Sequence, residues 1–376
     1  MRAKSRSKLR LAVLRSLRKQ GYHVINGAII TPESRSKDAI RALHTIAMQH
    51  KLEAARPRLS RYEDRLLRFI ANGEEVDPLC VSPRLVQVQA GTENELLFRW
   101  ATLHWSIPVS SGYGRRLRFL VFDENNGKLI GLFGLCDPVY SMSDRDQWIG
   151  WDAEAKKRNL YHVMEAFVLG AVPPYSQLLC GKLVALLMLS NEVRDAFRRR
   201  YASVPSVISG RVRPPYLALI TTTSALGRSS IYNRIRMSGV TYWRSVGYTQ
   251  GSGEFHFSNG IYADIRAYAE RYCEPTSKQA TWGDGFRNKR EIVKKCLTKF
   301  GLSTALIYHG VKREIFAACL GKNTQRFLCG QITRPGLHDW PADQLAAAFI
   351  DRWLLPRAVR MPDYRTFVKD AYRLWH

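Results

Sequence analysis

Residues 116–136 read RLRFLVFDENNGKLIGLFGLC, two apolar runs joined by Asp123-Glu124-Asn125-Asn126-Gly127. Asn-Gly accepts the positive-φ corner of a tight turn at little steric cost, so between apolar runs it predicts a β-hairpin of Arg116–Phe122 and Lys128–Cys136. A hairpin with so little polar surface needs more strands beside it and helices over it. The sequence offers both. Arg84–Val88, Tyr161–Val172 (stopped by Pro173-Pro174), Tyr216–Thr223, Tyr242–Tyr248 and Gly253–Phe257 read as further strands. Leu178–Leu189, Asn191 to about Tyr201 and Ser229–Arg236 read as helices between them. The expected class is α+β, a mixed sheet with packed helices.

Helical patterns flank this core. Residues 1–20 carry eight cations and no acid, with Leu9, Leu11, Leu14 and Leu17 near a helical period. This predicts a short basic helix that either reaches for phosphates as an arm or docks with a solvated face. A second helical stretch runs from Ser34 to Ala71, with a break expected at Pro57. Beyond the core, Gly260–Cys273, Lys289–Leu302, Val311–Cys319, Ala342–Trp353 and Tyr364–Leu374 are read as helices. The expected organisation is a basic N-terminal helical region (1–83), a mixed α+β core (84–258) and a basic helical C-terminal region (259–376).

Charge narrows the partner. The 376 residues hold 58 Lys plus Arg against 32 Asp plus Glu, a net charge of +26, yet 45% are hydrophobic. That excludes a disordered basic tail. Self-repulsion on this scale is usually neutralised by a polyanion, with nucleic acid ahead of an acidic protein and an anionic membrane. The cations recur along the chain: Arg2, Lys4, Arg6 and Arg10; Arg198, Arg199 and Arg200; Arg228, Arg234, Arg236 and Arg244; Lys294 and Lys295. Each phosphate neutralised by such groups would steepen the salt dependence of binding. Between Ser224 and Phe257 the arginines mix with Tyr232, Asn233, Tyr242, Trp243 and Tyr248, a composition suited to phosphate contacts and base stacking. DNA is the leading partner and RNA the alternative. No helix-turn-helix, zinc-finger or RNA-recognition pattern supports sequence-specific readout. No apolar run approaches the ~20 residues of a membrane span. Seven cysteines, an odd number with no CxxC, suggest free thiols in a reducing, cytoplasmic compartment.

Three chemistries deserve weighing. A nuclease or nickase would gather carboxylates around Mg²⁺ or Mn²⁺, and Asp137, Asp144, Asp146 and Glu165 are the acids placed for it. Asp144 and Asp146 would face one way if extended, in a stretch that also carries Trp148 and Trp151. Salt bridges and turn caps are the plainer role for these acids. Tyr232 is a candidate nucleophile for strand cleavage, although a core tyrosine is the more usual case. Asp137, Glu165 and Tyr232 are thus the catalytic candidates. The strand and helix order also resembles that of the GNAT acyltransferase fold, in which a helix N-terminus holds an acyl-CoA pyrophosphate. Gln177–Lys182 occupies that place here with Leu and Cys where bare backbone is wanted, which disfavours the cofactor.

The chain carries GRRLRFLVFD (114–123), GKLIGLFGLCDP (127–138), DRDQWIGW (144–151), RNLYHVMEAFVLGAVPPYSQLL (158–179), SIYNRIR (230–236), GYTQGSGEFHF ending at Phe257, HGVKREIF (309–316) and RWLLPRAVRMP (352–362). Together these motifs resemble the DruA family of Druantia anti-phage defence systems. The resemblance spans roughly residues 95–376, and Trp148–Trp151 is its most distinctive part. It implies a bacterial cytoplasmic defence component acting beside a large helicase-related protein. It makes Asp137, Trp148, Trp151, Glu165, Tyr232 and Asn233 the motif residues of interest, with Tyr248 as a further aromatic contact.

Overall fold

The computed structural model describes residues 5–30, 36–110, 114–205, 210–237, 239–275, 282 and 286–375. Arg2 and Lys4 lie outside the described residues.

Helix α1 (Arg6–Lys19) buries Leu9, Val13 and Leu17, four residues apart, and leaves its cations outside. It is docked: Arg10 Nη1 donates to the carbonyls of Phe300 (3.1 Å) and Gly301 (2.8 Å). A small hairpin follows, β1 (His23–Ile25) and β2 (Ala28–Ile30). Helix α2 (Lys37–Leu59) starts at Ser36, whose hydroxyl accepts from Ala39 N, and runs through Pro57 to end two residues later. After α3 (Glu63–Leu67) come β3 (Pro83–Gln87) and α4 (Glu93–Ala101). The expected hairpin is β4 (Arg116–Asp123) and β5 (Lys128–Cys136), in register at Phe119↔Phe133 and Leu120↔Leu132. Gly127, at φ +69°, closes its turn by donating to the Asp123 carbonyl at 2.8 Å.

Helices α5 (Ser143–Ile149) and α6 (Ala153–Asn159) lead into β6 (Val163–Ala171), then α7 (Cys180–Leu187), α8 (Asn191–Tyr201) and β7 (Leu219–Thr223). The short pair β8 (Arg236–Met237) and β9 (Val240–Thr241) precedes β10 (Arg244–Tyr248). The rest comprises α9 (Ile261–Tyr272), α10 (Phe286–Lys299), β11 (Glu314–Cys319), α11 (Thr324–Leu328), α12 (Ala342–Phe349) and α13 (Leu355–Arg360).

Seven strands form one sheet in the order β10-β11-β7-β6-β5-β4-β3. Every neighbouring pair is antiparallel except β6 with β7. The chain is therefore α+β with a mixed sheet, as its pattern predicts, and the strand order is consistent with the GNAT-like order. One sheet face carries Phe119, Phe133, Met164, Ile220 and Phe316 and packs under α7, α8 and α12. The other divides in two. Leu120, Leu132 and Val168 meet α3, α4 and Tyr372, whereas Val163, Leu219 and Ala317 meet Ile149, Ala155 and Phe327. A separate apolar cluster joins α1 and α2 to α9 and α10. No helix among the described residues is long and apolar enough to cross a membrane.

Four element expectations change. Residues 311–319, expected as helix, include strand β11, which lies between β10 and β7. Ile315, Phe316, Ala317 and Ala318 are all buried, two on each face, so no polar alternation marks the strand. Residues 253–257 give a 3₁₀ turn, Phe255–Phe257, rather than a strand. The helix expected over 229–236 shrinks to the 3₁₀ turn Tyr232–Arg234. The one expected over 364–374 becomes two 3₁₀ turns, Pro362–Thr366 and Lys369–Tyr372.

Candidate functional site

The parallel seam does not run the length of its strands. Pairing between β6 and β7 stops at Ala166↔Thr222, while β6 continues to Ala171. Where the strands part lies a cleft of about 650 Å³. Ala166–Leu169 of β6, Thr222 and Thr223 of β7, and the segment from Trp105 to Ser110 form its walls. Lys51 Nζ holds that segment by donating to the Val109 carbonyl. Gly170 allows Trp105 to lie against the β6 backbone, since a Cβ there would sit 3.0 Å from the indole.

Two of the three catalytic candidates, Glu165 and Tyr232, line this cleft. Glu165 is the last residue of β6 before Ala166 to pair with β7, opposite Thr221. Its Oε2 accepts from Val139 N at 3.3 Å. Burial pushes its carboxyl above the usual range, only partly offset by that N–H and by Arg145. Tyr232 sits between Phe316 (ring centroids 4.9 Å apart) and Trp243 (5.4 Å). Burial raises its phenol well above the ordinary value, against a hydrogen bond with Thr222.

The third candidate, Asp137, does not line the cleft. Its carboxylate takes Arg115 Nε at 2.7 Å and Arg115 N at 2.9 Å. The Asp144/Asp146 pair is corrected too. Both lie in the first turn of α5, where residues two apart point about 200° apart around the axis rather than one way. Asp144 Oδ2 accepts from Tyr248 N at 2.8 Å, a contact made possible by Gly247, whose Cβ would collide with that carboxylate. Asp146 binds Lys156 Nζ (2.7 Å) and the fully buried Arg145 (2.6 Å). Among the described residues no three His, Cys, Asp or Glu side chains group as metal ligands, so Asp137, Asp144, Asp146 and Glu165 do not converge.

The WIGW residues serve the packing under β6 and β7. Trp151 is 9% exposed and donates Nε1–H to Asp146 at 3.3 Å, and Gln325 donates to the Trp148 carbonyl at 2.7 Å. Asn233 is exposed on the turn that carries Tyr232. Of the cations, Arg6, Arg10, Arg198, Arg199, Arg200, Arg228, Arg234, Arg236 and Arg244 are exposed, and Lys294 and Lys295 partly so. Arg198 pairs with Asp195 and Lys294 with Glu291.

The cleft also holds groups that the pattern gave no reason to single out. Glu254, Lys289 and Arg313 line it. Glu254 Oε2 is buried without a hydrogen-bond partner, and burial pushes this carboxyl up to about 7 despite Lys289 and Arg290. Arg313 reaches His44 at 3.4 Å, and its Nε is buried without a partner. Glu254 follows a Gly-Ser-Gly stretch that looks like a solvated loop, so its burial had no local signal.

The fold and cleft define a class: an α+β protein with a seven-stranded mixed sheet opened at its parallel seam. The DruA family profile, described as Druantia protein DruA, matches residues 34–330. The chain is 39% identical over 360 residues to the Druantia protein DruA of Escherichia coli (strain UMEA 4076-1), covering 96% of this chain and 89% of that one. The chain belongs to the DruA family, a component of Druantia anti-phage defence. No solved structure gives a significant match.

Proposed function

We propose that this protein is the DNA-binding component of its defence complex. It holds DNA with weak sequence preference, with RNA as the alternative polymer, and presents it in the cytoplasm to a helicase-related partner. The observation that carries this reading is the surface charge. Arg199, Arg200, Arg228, Arg234, Arg236 and Arg244 are all exposed and form no ion pair among the described residues. Exposed guanidiniums without carboxylate partners in a chain of net charge +26 suit phosphate tracking. Fluorescence anisotropy with a labelled oligonucleotide tests it. Affinity should fall steeply between low and high salt, with a log–log slope of about −0.7 to −0.9 per phosphate engaged. Replacing Arg198, Arg199 and Arg200 by Gln should flatten that slope. A binding constant indifferent to salt rejects the reading.

The cleft favours a second reading, group transfer such as acyl transfer at the seam. Glu165 and Tyr232 both keep their protons to unusually high pH and line one cavity, which suits them to hold or donate a proton to a bound substrate. Heat stabilisation by acetyl-CoA that disappears in Tyr232→Phe supports it, and its absence in the wild type removes it.

A further inference from the structure

The two sides of the seam cleft differ in chemistry. On the β6 side stand Trp105, Ile107, Pro108 and Val109, with the Trp105 indole against the backbone at Gly170. On the β7 side stand Arg313, Glu254 and Lys289. Arg313 directly precedes β11, where Glu314 N donates to the Ser224 hydroxyl at 3.1 Å, one residue beyond β7. Glu254 is brought there by its neighbour Phe255, whose ring lies 5.9 Å from the Arg313 guanidinium. Lys289 is brought there by its neighbour Arg290, whose Nη1 donates to the Ser252 hydroxyl at 3.3 Å. One side is thus apolar and aromatic, and the other carries charge.

Helix α2 touches both sides. Its His44 Nε2 lies 3.4 Å from Arg313 Nη2, and its Lys51 donates to the Val109 carbonyl. Residues seven apart share a helix face and stand about 10 Å apart along the axis, so α2 sets the spacing between the two sides. A guanidinium only donates, so Nη2 is spent on the imidazole. Arg313 Nε remains buried without a partner, and so does Glu254 Oε2. Buried polar atoms are normally paired, and each exception calls for a reason. Here two exceptions line one cavity: a pure donor, and a carboxyl that burial keeps partly protonated near neutral pH. The cleft opens beyond the carboxyl ends of a parallel strand pair, where open sheets receive ligands, and its volume of about 650 Å³ suits a small molecule. Inorganic phosphate would fill only the charged side. An alkyl carboxylate would bring no flat ring to the indole. A nucleotide supplies phosphate oxygens for Arg313 and Lys289, a ring for Trp105, and hydroxyl or amino groups for Glu254.

We propose that the seam cleft binds a nucleotide, with its phosphate on Arg313 and Lys289 and its base beside Trp105. The nucleotide is either a free mononucleotide or one unit of a strand turned out of its stack, and the shared chemistry is a nucleoside phosphate. The site rests on neither the surface-charge reading nor the group-transfer reading, and survives if either fails.

The test uses the full chain with Lys289→Gln, Trp105→Leu and Trp105→Phe. The probes are the four ribonucleoside 5′-monophosphates, their nucleosides, inorganic phosphate and a labelled single-stranded oligonucleotide, read by calorimetry, thermal shift and anisotropy. At least one monophosphate should bind the wild type more tightly than its nucleoside or inorganic phosphate does. Lys289→Gln should weaken that monophosphate about tenfold and leave the nucleoside unchanged. Trp105→Leu should weaken monophosphate and nucleoside alike by about tenfold, and Trp105→Phe, which keeps a flat ring, should restore part of the loss. If the nucleotide belongs to a strand, the oligonucleotide also binds Trp105→Leu about tenfold more weakly, and the monophosphate competes with it. If it is free, oligonucleotide binding is the same in Trp105→Leu and wild type. The proposal is overturned if no monophosphate binds and both variants bind the oligonucleotide as the wild type does. It is equally overturned if a monophosphate raises the melting temperature of Lys289→Gln and Trp105→Leu as much as that of the wild type, since it then binds elsewhere. Lys289→Gln, on a half-buried side chain, keeps the test decisive should Trp105→Leu fold poorly. DNA held by the surface arginines is read separately through the Arg198, Arg199 and Arg200 variant, so its failure cannot be mistaken for failure of the cleft.

Discussion

Asp123 shows what a single residue does at the hairpin. It sits in the turn yet is fully buried. Its Oδ1 accepts from Ser82 N at 3.0 Å and Asn125 N at 3.2 Å, and its Oδ2 from the Tyr175 hydroxyl at 2.8 Å. Tyr175→Phe removes one donor from a buried carboxylate, a loss worth about 1–3 kcal/mol. Urea unfolding of this variant should show a lowered midpoint with an unchanged slope, and an unchanged midpoint would mean that water takes over the bond. Gly247→Ala should destabilise as well, because its Cβ would displace Asp144 from Tyr248 N. The turn itself was legible, since Asn-Gly has a local meaning. The burial of Asp123 was not, because Ser82 and Tyr175 lie 41 and 52 residues away. The Asp144/Asp146 pair misled for a related reason: side chains two apart share a side in a strand and diverge in a helix, and a seven-residue helix is too short to announce its period.

Elements that meet near the cleft carry opposite pH responses. The seam cleft and the helical layer of α1, α2, α9 and α10 meet at residues 254–256, where His44, His256 and His309 gather with Arg313. Burial pushes the imidazoles of His44 and His256 down to about 3 and 4, and lowers His309 likewise. The unfolded chain takes up these protons near pH 6.5 and the folded chain does not, so the layer loses stability as pH falls below about 6.5. Glu254 acts in the other direction. Its folded value of about 7 lies above that of a free carboxyl, so its contribution is full below about 4.5 and is lost as pH rises through 7. Thermal melts across pH 5 to 8 should show a maximum for the wild type. In Glu254→Gln the decline on the alkaline side should shrink, by an amount on the order of 1–3 kcal/mol at pH 8, with the remainder left to Glu165. A curve that matches the wild type at every pH contradicts the assignment. At this scale the hairpin, β6, β7, α7 and α8 were legible because length, turns and period agree. Strand β11 was not, since a strand buried on both faces shows the continuous apolar run of a core helix.

For the whole molecule, the C-terminal segment acts as a clasp on the far side of the sheet. Glu63 is 3% exposed and accepts from Trp100 Nε1 (3.0 Å), Leu374 N (2.8 Å) and Trp375 N (3.1 Å). Tyr372 stacks on His104 with centroids 3.5 Å apart. Glu63→Ala leaves three donors short of an acceptor and frees this segment from α3 and α4. Hydrogen exchange should then accelerate in α3, α4 and residues 369–375 while β6 and β7 remain protected. Uniform acceleration would instead mean that the clasp supports the entire fold. The overall class was readable from the order of strands and helices, and the net charge pointed to a polyanion. The cleft was not readable, because it is made where two strands separate, and its walls come from segments between residues 105 and 313.

The place of β11 in the sheet has a consequence for how the chain is made. Strands β7 and β10 each pair with β11, so neither has that partner until residues 314–319 have left the ribosome. During synthesis the nascent sheet has an open edge at β7, four of whose five residues are buried once the sheet is complete. Such an edge can pair with any other exposed strand. A transcript cut short before codon 314 should therefore yield an aggregating polypeptide, and the yield of intact protein should improve when elongation is slow or a chaperone shields that edge.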